Sequence, residues 1–153
     1  MSMTFDGFSK TNRRRCESPD GFNHSLASWS RADWLTATLG ELGEAANVAK
    51  KLKRIADGVP GNPLVRVCPV CGTSWRHDHV RVEKCSCGCE IGDVKPTPDP
   101  ALAAELRDQL RDEIADTFIY LDLLAQSQGI DLGEAVRNKF NRTSDKLGCD
   151  IKL

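Results

Sequence analysis

The chain has 153 residues, of which 28% are charged, and its formal net charge at pH 7 is −1. This length suits one domain with a modest insert, and the near-zero charge argues against a general binder of nucleic acids or membranes. No apolar run reaches the roughly 20 residues that span a bilayer, and the amino terminus lacks the layout of a secretory signal. We therefore expect a cytoplasmic protein, in the host cytoplasm if it is viral, with no membrane partner.

The first clear secondary-structure signal is a long helix that follows an irregular arm. Residues 1 to 25 show no sustained apolar period, so we expect no regular element there. From Ser30 to Ala56 the sequence is rich in Ala, Leu, Glu and Lys and contains no proline. The pair Asp57-Gly58, followed by Pro60, is a typical helix stop.

A cysteine-rich segment follows this helix. Prolines lie at both of its ends, which indicates an insert over residues 60–100. Five of the seven cysteines lie in it, in Cys68-Pro-Val-Cys71-Gly and Cys85-Ser-Cys87-Gly-Cys89. In a chain without a secretory signal, this clustering predicts a zinc site rather than disulfides. Four thiolates complete a tetrahedral site, and the favoured set is Cys68, Cys71, Cys85 and Cys87, with Cys89 as a substitute and His77 and His79 as weaker candidates.

Two further helices are predicted after the insert. The first runs from Ala101 to Ser127 and starts near the pair Asp99-Pro100. The second spans Leu132 to Lys146, with Asp131 as its cap and Gly148 as its stop. The body outside the insert is therefore predicted to be all-α. Three amphipathic helices make a poor core alone, so we expect a homodimer or homotetramer that completes a helical bundle.

Two acidic pairs, Glu41-x-x-Glu44 and Glu113-x-x-Asp116, lie on the apolar strips of the first two predicted helices. At about 100° per residue, the strips are Trp34, Glu41, Ala45, Val48 and Leu52 on one helix, and Leu102, Leu106, Glu113, Tyr120 and Leu124 on the other. Both pairs are therefore expected to face inward. Because unpaired buried carboxylates are costly, we expect the four acids to meet around one or more divalent cations, Mg²⁺ or Mn²⁺ in its place. The alternative is two solvated acidic faces.

The motifs Glu41-Leu-Gly-Glu44, Glu113-Ile-Ala-Asp116-Thr-Phe-Ile-Tyr120 and Lys139-Phe-Asn141, in this order, resemble the MazG-like all-α nucleoside triphosphate pyrophosphohydrolases. The match covers most of the chain outside the insert, where relatives usually have a shorter gap. The resemblance implies a single MazG-like domain over residues 1–153. It also implies Mg²⁺-dependent cleavage between the α- and β-phosphates, which gives a nucleoside monophosphate and pyrophosphate.

The resemblance also assigns roles to individual residues. Glu41, Glu44, Glu113 and Asp116 become the metal ligands, and either Glu41 or Glu44 acts on water as the general base. The expected substrate contacts are Lys139, Lys51 and Arg142 for the phosphates, Asn141 for phosphate or sugar, Tyr120 for the nucleotide, and His24, Trp29 and Trp34 for the base. A purine deoxynucleotide such as dGTP is favoured, from similarity to phage-type sequences that include the MazZ-like group.

Two other functions stay open. One is a non-catalytic zinc-ribbon module for interaction or nucleic-acid binding, whose helical body only dimerises. The other is phosphoribosyl-ATP pyrophosphohydrolase, which shares the fold and the chemistry. For the insert we prefer a structural role, since a closed metal site stabilises a loop without a core of its own. A binding role would use Trp75, Arg76, Arg81 and Lys84.

Overall fold

The computed structural model of the protein describes residues 3–59, 64–76, 83–92 and 94–153. In this part of the chain the body is helical, as predicted. The helices are α1 (Phe5–Glu17), α2 (Arg31–Ala56), α3 (Pro100–Ser127) and α4 (Leu132–Leu147), and the strands are β1 (Leu64–Val67), β2 (Ser74–Arg76) and β3 (Thr97–Pro98). A short 3₁₀ helix, Leu26–Ser28, precedes α2. No helix within the described ranges is long and apolar enough to cross a membrane.

The chain forms two compact units. Unit 1 comprises Met1–Gly43 and Glu113–Leu153, and unit 2 comprises Glu44–Asp112. Both divisions fall inside helices, so α2 and α3 each contribute residues to both units. The three strands and the cysteine-rich segment belong to unit 2.

The prediction of an irregular amino-terminal arm is wrong, because α1 forms there. Thr4 caps the helix by accepting a hydrogen bond from the backbone of Gly7. Ion pairs at i,i+4 spacing, including Arg13 with Glu17, support its exposed face. Asn12 and Cys16 are buried in this helix, and the rings of Phe5 and Phe8 pack against Phe118 of α3. This apolar stripe is short and is interrupted by a polar residue, so it is a weak helix signal in the sequence.

A buried polar network connects α1 with α3 inside unit 1. The carboxylate of Asp122 is fully buried and accepts hydrogen bonds from the Ser9 hydroxyl, from Asn12 Nδ2 at 2.9 Å and from Gln126 Nε2 at 2.8 Å. Because a buried carboxylate is costly unless it is hydrogen-bonded, these three donors explain how Asp122 is tolerated. The network fixes the position of α1 along α3.

An apolar cluster forms the core of unit 1. Its buried members are Cys16, Leu26, Trp34 and Leu123, and the half-buried Trp29, Tyr120 and Leu124 pack against them. Trp34 is only 2% exposed, and its Nε1 donates to the Leu26 carbonyl oxygen at 3.2 Å. The indole is thus buried with its polar atom satisfied.

Unit 2 has two apolar clusters. Its helical cluster consists of Val48, Ile55 and Leu106, with the half-buried Leu52, Leu102 and Leu110 around them. This cluster confirms that the apolar strips predicted on α2 and α3 point into a core. The strands form an antiparallel sheet of order β2-β1-β3. The second apolar cluster consists of the buried Cys68, Cys85 and Ile91, with the half-buried Trp75, Cys89 and Val94 packed against them.

The ends of α4 follow the sequence prediction. Asp131 caps the helix by accepting a hydrogen bond from the Glu134 backbone at 2.9 Å. Gly148 ends it in the left-handed conformation, with φ +64°, which glycine adopts without steric cost.

Candidate functional site

Three of the four predicted acids lie together. Glu41, Glu44 and Glu113 each offer one carboxylate oxygen, and these oxygens lie within 4.8 Å of one another. Glu41 and Glu113 are half-buried, whereas Glu44, one turn further along α2, is exposed. Oxygen ligands from carboxylates suit hard divalent cations, so the donor atoms of this group fit Mg²⁺ or Mn²⁺.

The second residue of each acidic pair points outward, so the prediction that both pairs face inward is wrong for Glu44 and Asp116. Both side chains are exposed in the single chain. A spacing of three residues rotates the side chain by about 60° around the helix axis, which moves each of them off its apolar strip. Asp116 is not part of the group formed by Glu41, Glu44 and Glu113.

Tyr120 lies between the acidic residues and an aromatic cavity of unit 1. Burial raises the pKa of its phenol, and the negative charges of Glu41 and Asp116 raise that pKa further. The same side chain lines the cavity. Tyr120 therefore stays a neutral hydroxyl at physiological pH and can donate a hydrogen bond.

The aromatic cavity has a volume of about 200 Å³ and lies within unit 1. Its lining residues are Cys16, Phe22, His24, Trp29, Trp34, Tyr120 and Leu123. The volume is below the roughly 300–1,000 Å³ of pockets that hold drug-sized ligands. The cavity can therefore enclose one flat ring system and not a whole nucleotide.

The three side chains predicted to contact a base pack against one another at this cavity. The ring centroids of Trp29 and Trp34 lie 4.6 Å apart, and the ring of His24 meets both indoles edge-on, at 4.5 Å and 5.6 Å. Trp34 is a buried core residue that contributes one wall of the cavity, while Trp29 and His24 are half-buried. Edge-to-face contacts such as those of His24 are a preferred arrangement of aromatic rings.

The predicted phosphate ligands lie on exposed helix faces. The side chains of Lys51, Lys139 and Arg142 are exposed. Lys139 lines an apolar surface groove of α4 together with Leu132, Ala135, Val136, Phe140 and Thr143. The Asn141 amide, a candidate for phosphate or sugar, is bonded within the chain, because its Oδ1 accepts from the Leu153 backbone at 2.9 Å and its Nδ2 donates to the Leu153 carbonyl.

The favoured set of four cysteines converges in unit 2. The sulfur atoms of Cys68, Cys71, Cys85 and Cys87 lie within 4.8 Å of one another. Two of the distances are 3.7 Å, from Cys68 to Cys87, and 3.4 Å, from Cys71 to Cys85. A tetrahedral zinc site with Zn–S bonds of about 2.3 Å separates its sulfurs by roughly 3.8 Å. The cluster therefore has the composition and nearly the spacing of a closed zinc site.

Two tight turns position these thiols. Cys68 and Cys71 lie between β1 and β2, where the Cys68 backbone donates to the Thr73 carbonyl oxygen at 2.8 Å. Cys85 and Cys87 lie in a second turn, closed by a bond of 2.8 Å from the Cys85 backbone to the Cys89 carbonyl oxygen. The glycine after each ligand pair has positive φ, at +73° and +88°, a conformation that favours glycine.

Hydrogen bonds in the turns favour the thiolate form of the first pair. Bonds with the Thr73 side chain and backbone lower the pKa of Cys71 to about 6. The backbone N–H of Cys71 lowers the pKa of Cys68, and that of Val70 lowers it further, against the opposing effect of burial. Since the thiolate is the metal-binding form, these lowered pKa values favour the binding of a cation by Cys68 and Cys71.

The fifth cysteine of the insert, Cys89, lies outside the converging group, and its thiol donates to the Glu90 carbonyl oxygen at 3.4 Å. All seven cysteines are free. The weaker ligand candidates His77 and His79, and the basic Arg81, fall outside the described residues.

Sequence reasoning missed two residues at the rim of the aromatic cavity. Phe22 lines it and is 55% exposed, and the guanidinium of Arg15 lies over the Phe22 ring, 5.1 Å from its centroid. The only sequence signal was a run of three arginines in a segment predicted to be irregular.

No protein-family model, curated protein or solved structure matches the chain.

Proposed function

We propose that the protein is a Mg²⁺-dependent nucleoside triphosphate pyrophosphohydrolase, which cleaves a nucleotide, preferably a purine deoxynucleotide, to the monophosphate and pyrophosphate. The observation that carries the proposal is the position of Tyr120. This side chain lines a cavity for a flat ring and lies beside the charge of Glu41, which belongs to the group of three converging carboxylates. A ring site joined to a cation site is the arrangement that a nucleoside triphosphate requires.

The carboxylates supply the ligands that Mg²⁺ prefers. Bound there, the cation would neutralise triphosphate charge and lower the pKa of a coordinated water. Mg²⁺ sites normally combine a few carboxylates with waters and substrate phosphates, and the exposure of Glu44 leaves the group open on that side. The half-buried Glu41 and Glu113 serve as the fixed ligands.

Glu44 is the better placed general base of the two candidates. Its carboxylate is exposed, so it can accept the proton of an attacking water, whereas the half-buried Glu41 beside Tyr120 would hold the metal ion. The water oxygen forms a new bond to the α-phosphorus, and the bond from that phosphorus to the bridging oxygen breaks. Pyrophosphate leaves, and the proton passes to the Glu44 carboxylate.

The aromatic cavity accommodates the base. Base stacking on an aromatic side chain contributes about 1–3 kcal/mol, and the lining offers several rings in fixed orientations. Tyr120, a lining residue whose pKa the charges of Glu41 and Asp116 help to raise, would contact the sugar or the α-phosphate through its neutral hydroxyl.

A second copy of the chain is the proposed partner of the exposed apolar face of α2. Leu35, Leu39 and Leu42 follow helical spacing, and all three are exposed, with Leu39 at 56%. On α4, Val136 and Phe140 are exposed as well. A homodimer or homotetramer would bury these side chains and complete the helical bundle.

Zinc is the proposed occupant of the cysteine cluster, where it stabilises the insert. Among the described residues of the insert, the apolar cluster has three buried members, two of which are cysteines of the metal group. An insert with so small an apolar core depends on the metal for its stability. The zinc site therefore supports the fold and leaves the carboxylates to Mg²⁺.

The proposal is tested by pyrophosphate release from a panel of ribo- and deoxyribonucleoside triphosphates with Mg²⁺. Release is expected from at least one substrate, and Glu113→Gln should lower the rate at least about 10–100-fold, the loss typical even of residues that only support metal ligands. Asp112→Asn is the matched control, because Asp112 is the exposed neighbour of Glu113 on the same helix. Equal rates for the two variants, or no release from any substrate, would contradict the proposal.

A further inference from the structure

Arg15 is tied to the aromatic cavity at two points. Its guanidinium lies 5.1 Å from the ring centroid of Phe22, a cavity residue, in the geometry of a cation–π contact. The Phe22 backbone N–H donates to the Arg15 carbonyl oxygen at 3.2 Å, which connects the end of α1 to the loop that carries Phe22. The next residue, Cys16, lines the cavity itself.

The guanidinium keeps most of its donors for a ligand. Arginine has five N–H donors in a planar fork. Within the described residues, its hydrogen bonding is limited to one long contact of 3.4 Å to Asn12 Oδ1. Cation–π contact with Phe22 occupies the face of the guanidinium, so the edge that carries the N–H groups is left for an acceptor.

Three of the residues that line the cavity use polar atoms in hydrogen bonds within the protein. Trp34 Nε1 donates to the Leu26 carbonyl oxygen, and the Cys16 thiol donates to the His24 carbonyl oxygen at 3.2 Å. The Nδ1 atom of His24 lies 2.9 Å from the Ser28 hydroxyl. Arg15 is the charged donor beside the cavity, and its N–H groups can form hydrogen bonds with acceptor atoms at the edge of a ring held there.

We propose that Arg15 determines base specificity, by donating two parallel hydrogen bonds to O6 and N7 of a guanine held in the cavity. Guanine presents two adjacent acceptors on this edge, whereas adenine presents one acceptor and one N–H₂ donor. The inference rests on the proposed function, in which the cavity holds the base of the substrate. It adds to that function a preference for guanine over adenine, and it names Arg15 as the residue that determines this preference.

A phosphate group would be the other natural partner of an arginine. The three converging carboxylates are not among the described residues that line the cavity. Arg15 stacks on Phe22, which does line it, so the guanidinium lies next to the space for the base. The position of the guanidinium therefore favours the base.

Binding of guanosine and adenosine, without metal or phosphate, tests this inference separately from hydrolysis. Quenching of tryptophan fluorescence is the readout, since Trp29 and Trp34 line the cavity. Wild type should bind guanosine about tenfold more tightly than adenosine. Arg15→Gln should remove that preference by weakening guanosine alone, and Arg15→Lys should do the same, because lysine keeps the charge and loses the fork. Arg14→Gln, its exposed neighbour, is the control and should retain the preference.

Several results would overturn the assignment. They are no binding of guanosine by wild type, equal affinity for the two nucleosides, or a guanine preference that survives in Arg15→Gln. An equal rise in KM for all triphosphates in Arg15→Gln, with nucleoside binding unchanged, would assign the residue to phosphate. In each of these cases, pyrophosphate release by wild type would still support the proposed function. Guanosine selectivity without any hydrolysis would support the role of Arg15 and contradict the proposed function.

Discussion

The phenol of Tyr120 lies close enough to the carboxylate of Glu41 that burial and the charge of Glu41 together raise its pKa above the ordinary value. Glu41 belongs to the group of three carboxylates, and Tyr120 belongs to the wall of the aromatic cavity. This pair of residues therefore joins a candidate cation site to a candidate ring site.

Burial and the neighbouring carboxylates should hold the pKa of Tyr120 above the ordinary tyrosine value of about 10. Tyr120 is the single tyrosine of the chain, so the absorbance of tyrosinate at 295 nm reports this residue alone. Because the folded state holds the proton more tightly than the unfolded state, the stability that this group contributes is complete below pH 10. It is lost as the pH rises through the folded pKa. Glu41→Gln should lower the midpoint, and an unchanged midpoint in that variant would contradict the contact.

Zinc content should follow the four converging cysteines. Protein purified with reduced thiols is expected to carry one zinc per chain by elemental mass spectrometry, and Cys71→Ser or Cys85→Ser should lose it, because a closed site needs all four ligands. Cys89→Ser should keep the metal, since that thiol lies outside the group. Zinc loss in Cys89→Ser with retention in Cys71→Ser would reverse the ligand assignment.

Removing a donor from the buried network should destabilise unit 1. Asn12 Nδ2 donates to both Asp122 and the Ile119 carbonyl oxygen, so Asn12→Ala leaves a buried carboxylate short of a partner. A loss of about 1–3 kcal/mol in the free energy of unfolding is expected, measured by urea denaturation. Thr11→Ala, at an exposed position of the same helix, is the control and should change stability by less than about 0.5 kcal/mol. Equal effects would show that the network contributes nothing specific.

Self-association should depend on the apolar face of α2. Wild type is expected to elute above the monomer mass of 16.8 kDa in size-exclusion chromatography with light scattering. Leu39→Lys should shift it toward the monomer, because a charge cannot be buried in an apolar interface without a partner. Val70→Lys, at a residue of the insert that is 73% exposed, is the matched control. A monomeric wild type at micromolar concentration would contradict the prediction.

The long helices and the convergence of the four cysteines were predictable because their signals are local. Apolar spacing identifies a helix that packs on a core, and it placed Val48 and Leu106 correctly. The side chain of Asp131 caps a helix from within its own turn. Likewise, Cys68 and Cys85 are held by turns whose glycines stand next to the ligand pairs in the sequence.

Features that depend on contacts between distant segments could not be predicted. Helix α1 is stabilised by contacts with residues far along the chain, namely the hydrogen bond of Asn12 to Asp122 and the packing of Phe5 and Phe8 on Phe118. Arg15 joins the cavity only because the loop after α1 folds back to place Phe22 under its guanidinium.

Product analysis by ³¹P NMR tests the central claim most directly. Wild-type protein is incubated with Mg²⁺ and a guanine deoxynucleoside triphosphate, and then with the other common triphosphates. The account predicts signals of pyrophosphate and of the nucleoside monophosphate in equal amounts, abolished by EDTA and strongly reduced in Glu41→Gln. Formation of orthophosphate and the diphosphate, or the absence of any product from every substrate, would contradict it.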